Sequence, residues 1–197
     1  LLQALLFVAT FITTTLAGAE LMAGELFLFS DTMGWREFVR GFAYSIPFLG
    51  ILTVHEFGHY IAARRHKIRV TLPYYIPLWL GFGISFGTMG ALIRIKSRLR
   101  TNREYFDVGL AGPLAGFVVA VLVFWYGFTH LPDPQAVAEV SRRFQETHGR
   151  IVLGDNLMLW IFKQLFAHQP NLPGNDVLIH YPFLFAGYLS LLFTALN

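Results

Sequence analysis

Residues 41–63 read GFAYSIPFLGILTVHEFGHYIAA, and the fold class turns on this stretch. As a helix its 23 residues rise roughly 34 Å, enough to cross the hydrocarbon core of a bilayer. Pro47 lies near the entry, where proline is tolerated or produces a kink. Arg64, Arg65, Lys67 and Arg69 close the stretch with a basic cluster. Within it sit His55, Glu56 and His59, among Ile51, Leu52, Val54, Phe57, Tyr60 and Ile61. An acid at the centre of a spanning helix costs at least roughly 2.5 kcal/mol, and ionisable groups persist there mainly for function. Three of them so close together have no cheap structural explanation.

The rest of the 197-residue chain fits the same setting. It is 55% hydrophobic and only 14% charged, against about 25% charged for an ordinary soluble domain, and its mean hydropathy is +0.52. Residues 1–19 form a first apolar stretch, 20–40 a mixed linker, 106–128 a third full span, and 177–197 the opening of a last span. Residues 72–95 are apolar but carry Pro73, Pro77, Gly81, Gly83, Gly87 and Gly90. Proline and glycine at that density predict a re-entrant loop or short strand, buried in protein and shielded from lipid. Residues 129–176 read as a polar region with one amphipathic piece at 156–166, placed along the membrane interface. The fold expected is an all-α polytopic membrane protein, one domain over 1–197, with about four transmembrane helices and a Gly-rich re-entrant or β segment near the active site.

Charge sets orientation. Residues 64–103 hold nine Lys or Arg, whereas 129–176 hold four against five acids. The positive-inside rule places 64–103 in the cytosol, and a multi-pass protein of a bacterial inner membrane is the expected setting. The net charge of +3 is spent beside the spans, so membrane lipid is the expected partner and nucleic acid is not. Cys is absent, which excludes thiolate metal sites, disulfides and a cysteine nucleophile.

His55-Glu56-Phe57-Gly58-His59 matches H-E-x-x-H. Residues four apart on a helix face nearly the same way, so two imidazoles can hold one cation. Glu56 is offset by about 100° from His55, close enough to address a metal-bound water without taking its place. Zinc in such a site uses three protein ligands and an open position. It lowers the pKa of bound water and polarises a carbonyl, while the carboxylate acts as general base. His55 and His59 are thus the expected Zn2+ ligands and Glu56 the expected base.

HEFGH in a span, the GTMGALIRI segment and FDVGLAGPLAGFVVA together resemble the site-2 protease family of intramembrane zinc metalloproteases. The ending FLFAGYLSLLFTALN is similar to the start of that family's second signature, N-x-x-P-x-x-x-L-D-G. The resemblance covers roughly residues 41–128 and 178–197 and lacks the PDZ insertion common in the family. It implies hydrolysis of peptide bonds in or near the transmembrane helices of substrate proteins. It makes Asn197 a catalytic residue that stabilises the oxyanion, and it places the third zinc ligand, an Asp, about eight residues beyond Asn197. Both ends of the chain lie inside apolar runs, and a longer protein is expected.

A helix cannot be cut while its carbonyls are hydrogen-bonded, so a substrate must be held extended. Thr88, Met89, Gly90 and Ala91 are the candidate strand edge for that purpose. Gly109, Gly112 and Gly116 form a small-residue face read as close helix packing that braces the metal-bearing helix. Asp155 is read as a loop or helix-capping residue, and His66 as interfacial. His130, His148, His168 and His180 are read as surface residues of the outer region. Two other classes compete. A histidine-box di-iron oxidoreductase needs further His clusters, and a transporter needs duplicated broken helices; neither pattern is present in the sequence. A non-catalytic relative would not be expected to keep Glu56. Substrate identity and oligomeric state are not legible.

Overall fold

A chain in lipid must satisfy its own backbone N–H and C=O groups, so the long apolar stretches fold as helices. The computed structural model describes residues 1–31, 33–81 and 85–196, with Ala195 and Leu196 described for backbone only. In chain order the elements are α1 (Leu2–Ala23), α2 (Trp35–Arg40), α3 (Phe42–Arg65), β1 (Tyr74–Leu78), β2 (Gly87–Leu92), α4 (Asn102–Thr129), α5 (Pro134–His148), α6 (Leu157–Leu165) and α7 (Pro182–Leu196). A 3-10 turn, Leu178–His180, precedes α7. Among the described residues three helical stretches are long and apolar enough to cross a membrane: Leu2–Ala23, Trp35–Arg65 and Asn102–Thr129. The last apolar stretch supplies α7, whose 15 residues are fewer than the roughly 20 a span needs.

α3 is the hub, touching α1, α4, α7 and β2. Its entry crosses α1 at near-backbone distance. A Cβ on Gly41 would lie 2.1 Å from the Thr15 carbonyl oxygen, so only glycine fits there. Thr15 Oγ1 donates to Ser45 Oγ at 2.9 Å across the same crossing. α4 starts with a capping box: Thr101 Oγ1 accepts from the Glu104 N–H, and Glu104 accepts from the Thr101 N–H.

Within 72–95, the segment expected as re-entrant or β, β1 and β2 pair as an antiparallel hairpin. Tyr74 pairs with Leu92 and Leu78 with Gly87, with an irregularity between Tyr75 and Pro77. Pro77 brings no N–H to the ladder. Thr88 Oγ1 takes up the slack, donating to the Ile76 carbonyl at 2.7 Å. The hairpin lies along α1, where Thr13 Oγ1 donates to the Gly87 carbonyl at 2.6 Å. Gly87 has φ +80°, and a Cβ there would lie 2.2 Å from Thr14 Cα, so no other residue fits. Gly83, one of the six Pro/Gly positions, is outside the described residues.

Three expectations need correction. The region 129–176 contains two helices, α5 and α6, where one amphipathic piece was expected. α5 is announced by Asp133, whose side chain caps the Gln135 N–H, and by Pro134 at the first helical position. Arg142 and Arg143 bind Glu139 and hold its carboxyl down at about 2. α6 is docked against the helical core where a surface piece was expected, because Leu159 and Phe162 are buried with Phe124 and Phe128. His180 is the third: it is buried, with Nδ1 donating to the Leu21 carbonyl at 2.6 Å. The 3-10 turn tucks it under the end of α1, and a lone His at the head of an apolar stretch gave no sign of that.

Candidate active site

The site is built on the middle of α3. His55 and His59, one turn apart, bring their Nε2 atoms to 3.0 Å of each other. His59 Nδ1 donates to the Val108 carbonyl of α4 at 2.6 Å, which fixes the tautomer and turns the Nε2 lone pair toward His55 Nε2. His55 Nδ1 lies 3.5 Å from Thr194 Oγ1 of α7. Each imidazole is thus steered through one nitrogen while the other points at a shared spot. Two ligands on a tetrahedral zinc sit roughly 3.3 Å apart, so the pair fits a zinc ion. Among the described residues no third His, Cys, Asp or Glu joins them.

Glycine makes room for both rings. A Cβ on Gly112 would stand 2.2 Å from His59 Nε2, and one on Gly116 would stand 3.1 Å from His55 Cβ. Gly58 meets the Ala111 carbonyl oxygen the same way, at 2.5 Å. Gly109, the first member of the expected small-residue face, has nothing near it. The packing reading therefore holds for Gly112 and Gly116, with the histidines themselves filling the space. Val108 and Thr194 were not singled out from the sequence. A backbone carbonyl leaves no side-chain signal, and Thr194 is one hydroxyl in a helix otherwise read for hydropathy.

Glu56 is 1% exposed, beside its histidines on α3, and its charge reaches the Tyr75 phenol of β1. Tyr75 shares a hydrogen bond with Thr53 at 2.8 Å, tying the hairpin to α3 two residues before the motif.

A cavity of about 280 Å³ opens between α3, α7 and β2, and His55 lines it with Met89, Gly90, Ala91, Phe193 and Thr194. Three of the four expected substrate-contact residues are therefore on the cavity wall. Thr88 is not among them. It is 3% exposed, and its hydroxyl serves Ile76 and Gly90 within the hairpin. Asn197 is outside the described residues. Asp155 sits in the loop before α6, where its Oδ1 accepts from Asn175, and the helix cap is the neighbouring Asn156. His66 pairs with Asp107 at 2.8 Å, at the foot of α3 and α4. His130 and His168 are exposed, and His148, half-buried, stacks on Phe144.

With that geometry in hand the comparisons are specific. The profile described as Peptidase family M50 matches residues 43–197. The chain belongs to peptidase family M50. This is the site-2 protease family that the motifs resemble. The match takes in α3, the hairpin, α4 and α7. Among curated proteins the chain is 33% identical over 153 residues to "Probable zinc metalloprotease EGY1, chloroplastic" of Arabidopsis thaliana, covering 76% of this chain and 25% of that protein. It is 30% identical over 149 residues to the protein of the same name from Oryza sativa subsp. japonica, covering 76% and 24%. It is 31% identical over 158 residues to "Probable zinc metalloprotease EGY2, chloroplastic" of Oryza sativa subsp. indica, covering 76% and 27%. The chain spans about a quarter of the length of these relatives. No solved structure matches it.

Proposed function

We propose that this chain is the metal-binding core of an intramembrane zinc metalloendopeptidase that hydrolyses peptide bonds in or near the transmembrane helices of substrate proteins. The meeting of His55 Nε2 and His59 Nε2 at 3.0 Å inside an apolar helix carries the reading, because it puts two zinc-ligating nitrogens within reach of one spot. His55 and His59 hold the zinc with a third protein ligand from outside the described residues, and Asn197 assists at the oxyanion. When bound, zinc supplies Lewis acidity and an acidified water. Glu56, next to His55, would act as the base that takes a proton from the attacking water and hands it to the leaving amine. The apolar surroundings of the 280 Å³ cavity limit bulk water and strengthen each electrostatic contact.

Met89, Gly90 and Ala91 present the substrate. β2 pairs only with β1 among the described residues, and beyond Gly87, whose carbonyl Thr13 takes, Met89, Gly90 and Ala91 face the cavity and offer an edge to an extended peptide. A segment laid there gives up its helical hydrogen bonds and places its carbonyls by the histidines. The zinc metalloprotease names of the relatives support the same activity. The setting we propose is a multi-pass protein of a bacterial inner membrane with 64–103 in the cytosol and residues 177–197 as a fourth span. The apolar helices and the basic run support this, while the named relatives are chloroplastic.

The test is zinc content and cleavage of a transmembrane reporter by the full-length protein, beside Glu56→Gln. Stoichiometric zinc in both, with cleavage only in the parent, is expected. Equal cleavage by the two proteins would refute the assignment.

A further inference from the structure

The hairpin does not end where β2 ends. Val70 and Ile95 form an antiparallel bridge, the Thr71 N–H donates to the Arg94 carbonyl at 3.0 Å, and the Lys96 N–H donates to the Arg69 carbonyl at 2.7 Å. The ladder therefore runs on from the cavity wall to a basic patch at the open end of the hairpin, beside its links to α3 and α4. There Arg69, Arg94 and Lys96, all exposed, line one shallow concavity of about 490 Å³ with Ile95. The ion pairs among the described residues fall elsewhere. The nearest acids in sequence are already engaged. Glu104 accepts from the N–H groups of Arg100 and Thr101, and Asp107 pairs with His66 and Arg103.

We infer that Arg69, Arg94 and Lys96 select substrates whose cleaved helix is flanked by acidic residues on the basic side of the membrane. This rests on the protease reading above and adds a substrate class to it. A peptide paired along the open edge of β2 advances in step with that strand. From Gly90 to Arg94 and Lys96 is four to six residues, roughly 13–20 Å of extended chain. Acidic side chains about that far from the scissile bond reach the three cations. Most membrane spans carry Lys or Arg at the cytosolic flank. Such flanks meet like charge here and are rejected, whereas an acidic flank is held. The cluster thereby separates a few substrates from the bulk of membrane helices, a choice an apolar groove cannot make.

Three reporters with identical spans and acidic, neutral or basic flanks test this, in nanodiscs of neutral lipid and of one-third anionic lipid. Exposed ion pairs give about two- to fivefold each, so kcat/KM of the acidic over the basic reporter is expected to differ on the order of tenfold. The difference should shrink with salt. Replacing the three cations by Gln should erase the order, and replacing them by Glu should reverse it. Bound zinc serves as the check of fold. Binding of fluorescent reporters to zinc-loaded Glu56→Gln reads the same preference without turnover. Equal affinity and equal kcat/KM for the three flanks overturn the inference. So does a rate that follows anionic lipid equally for all three, which makes the cluster a lipid-headgroup site. If nothing is cleaved yet the acidic flank binds tightest, the protease reading fails and the selection stands.

Discussion

Gly112→Ala removes no ligand and adds one methyl group, yet it should disable the site. The added Cβ would stand 2.2 Å from His59 Nε2, 2.4 Å from Cδ2 and 2.5 Å from Cε1, where ordinary contact begins at 3.4 Å. Something must yield by more than an ångström. The ring cannot swing freely, because the 2.6 Å bond from Nδ1 to the Val108 carbonyl holds its other edge. α4 can retreat only by giving up the close backbone packing of Gly58 on Ala111. Zinc–nitrogen distances tolerate only about 0.2 Å, and a 1 Å misplacement costs on the order of 100-fold in rate. Zinc affinity, from competition with a chromophoric chelator, and kcat/KM on a transmembrane reporter should both fall about 100-fold or more. Gly109→Ala, on the same helix with open space around it, is the control and should change little. Full zinc and near-parental kcat/KM in Gly112→Ala would refute the claim that α4 shapes the site.

Other expectations follow from the same contacts. Glu56→Gln should keep its zinc and lose about 10²- to 10⁴-fold in turnover, since the base goes and the shape stays; normal cleavage would remove Glu56 from the mechanism. His59→Ala should lose both zinc and proteolysis, read by metal analysis of the detergent-purified protein, and retention of stoichiometric metal would disprove the ligand assignment. Thr88→Val should destabilise the protein by about 1–3 kcal/mol in denaturant titrations, because the Ile76 carbonyl and the Gly90 N–H lose their partner. Thr88→Ser should restore it, and a Val variant of unchanged stability but raised KM would show that Thr88 touches substrate after all. Zinc at 100 times its Kd should stabilise the folded protein by about 2.7 kcal/mol, seen as a higher unfolding temperature that His55→Ala does not share.

The sequence made the metal motif legible because two physical constraints coincided there. Ionisable groups are costly in a span, and four-residue spacing puts two of them on one helix face. The hairpin was legible through Pro73, Pro77 and the glycines, which no spanning helix would carry together. α5 was missed although Asp133-Pro134, the apolar spacing of Val137 and Phe144, and Gly149 after the last turn all mark it. Its many charges drew attention to polarity instead of period. The internal role of the Thr88 hydroxyl was not legible, because strand alternation does not say which carbonyl a bulge leaves open, and that depends on Pro77 eleven residues earlier. His180 needed the fold itself, since its partner at Leu21 is far away in the chain.

The contacts that steer the two histidines come from two different helices. Val108 on α4 sets His59, and Thr194 on α7 stands beside His55. The motif on α3 supplies ligand types and spacing, but neither ring is aimed by α3 alone. A shift of α4 moves the carbonyl that holds His59, and a shift of α7 moves the hydroxyl beside His55, so the meeting of the two rings depends on both helices. Glycine at 112 and 116 is what lets α4 dock closely enough to do this. The same α7 residues, Phe193 and Thr194, wall the cavity opposite β2. Packing, metal alignment and access to the strand edge are therefore one arrangement, and a substitution that loosens either helix should be felt in all three.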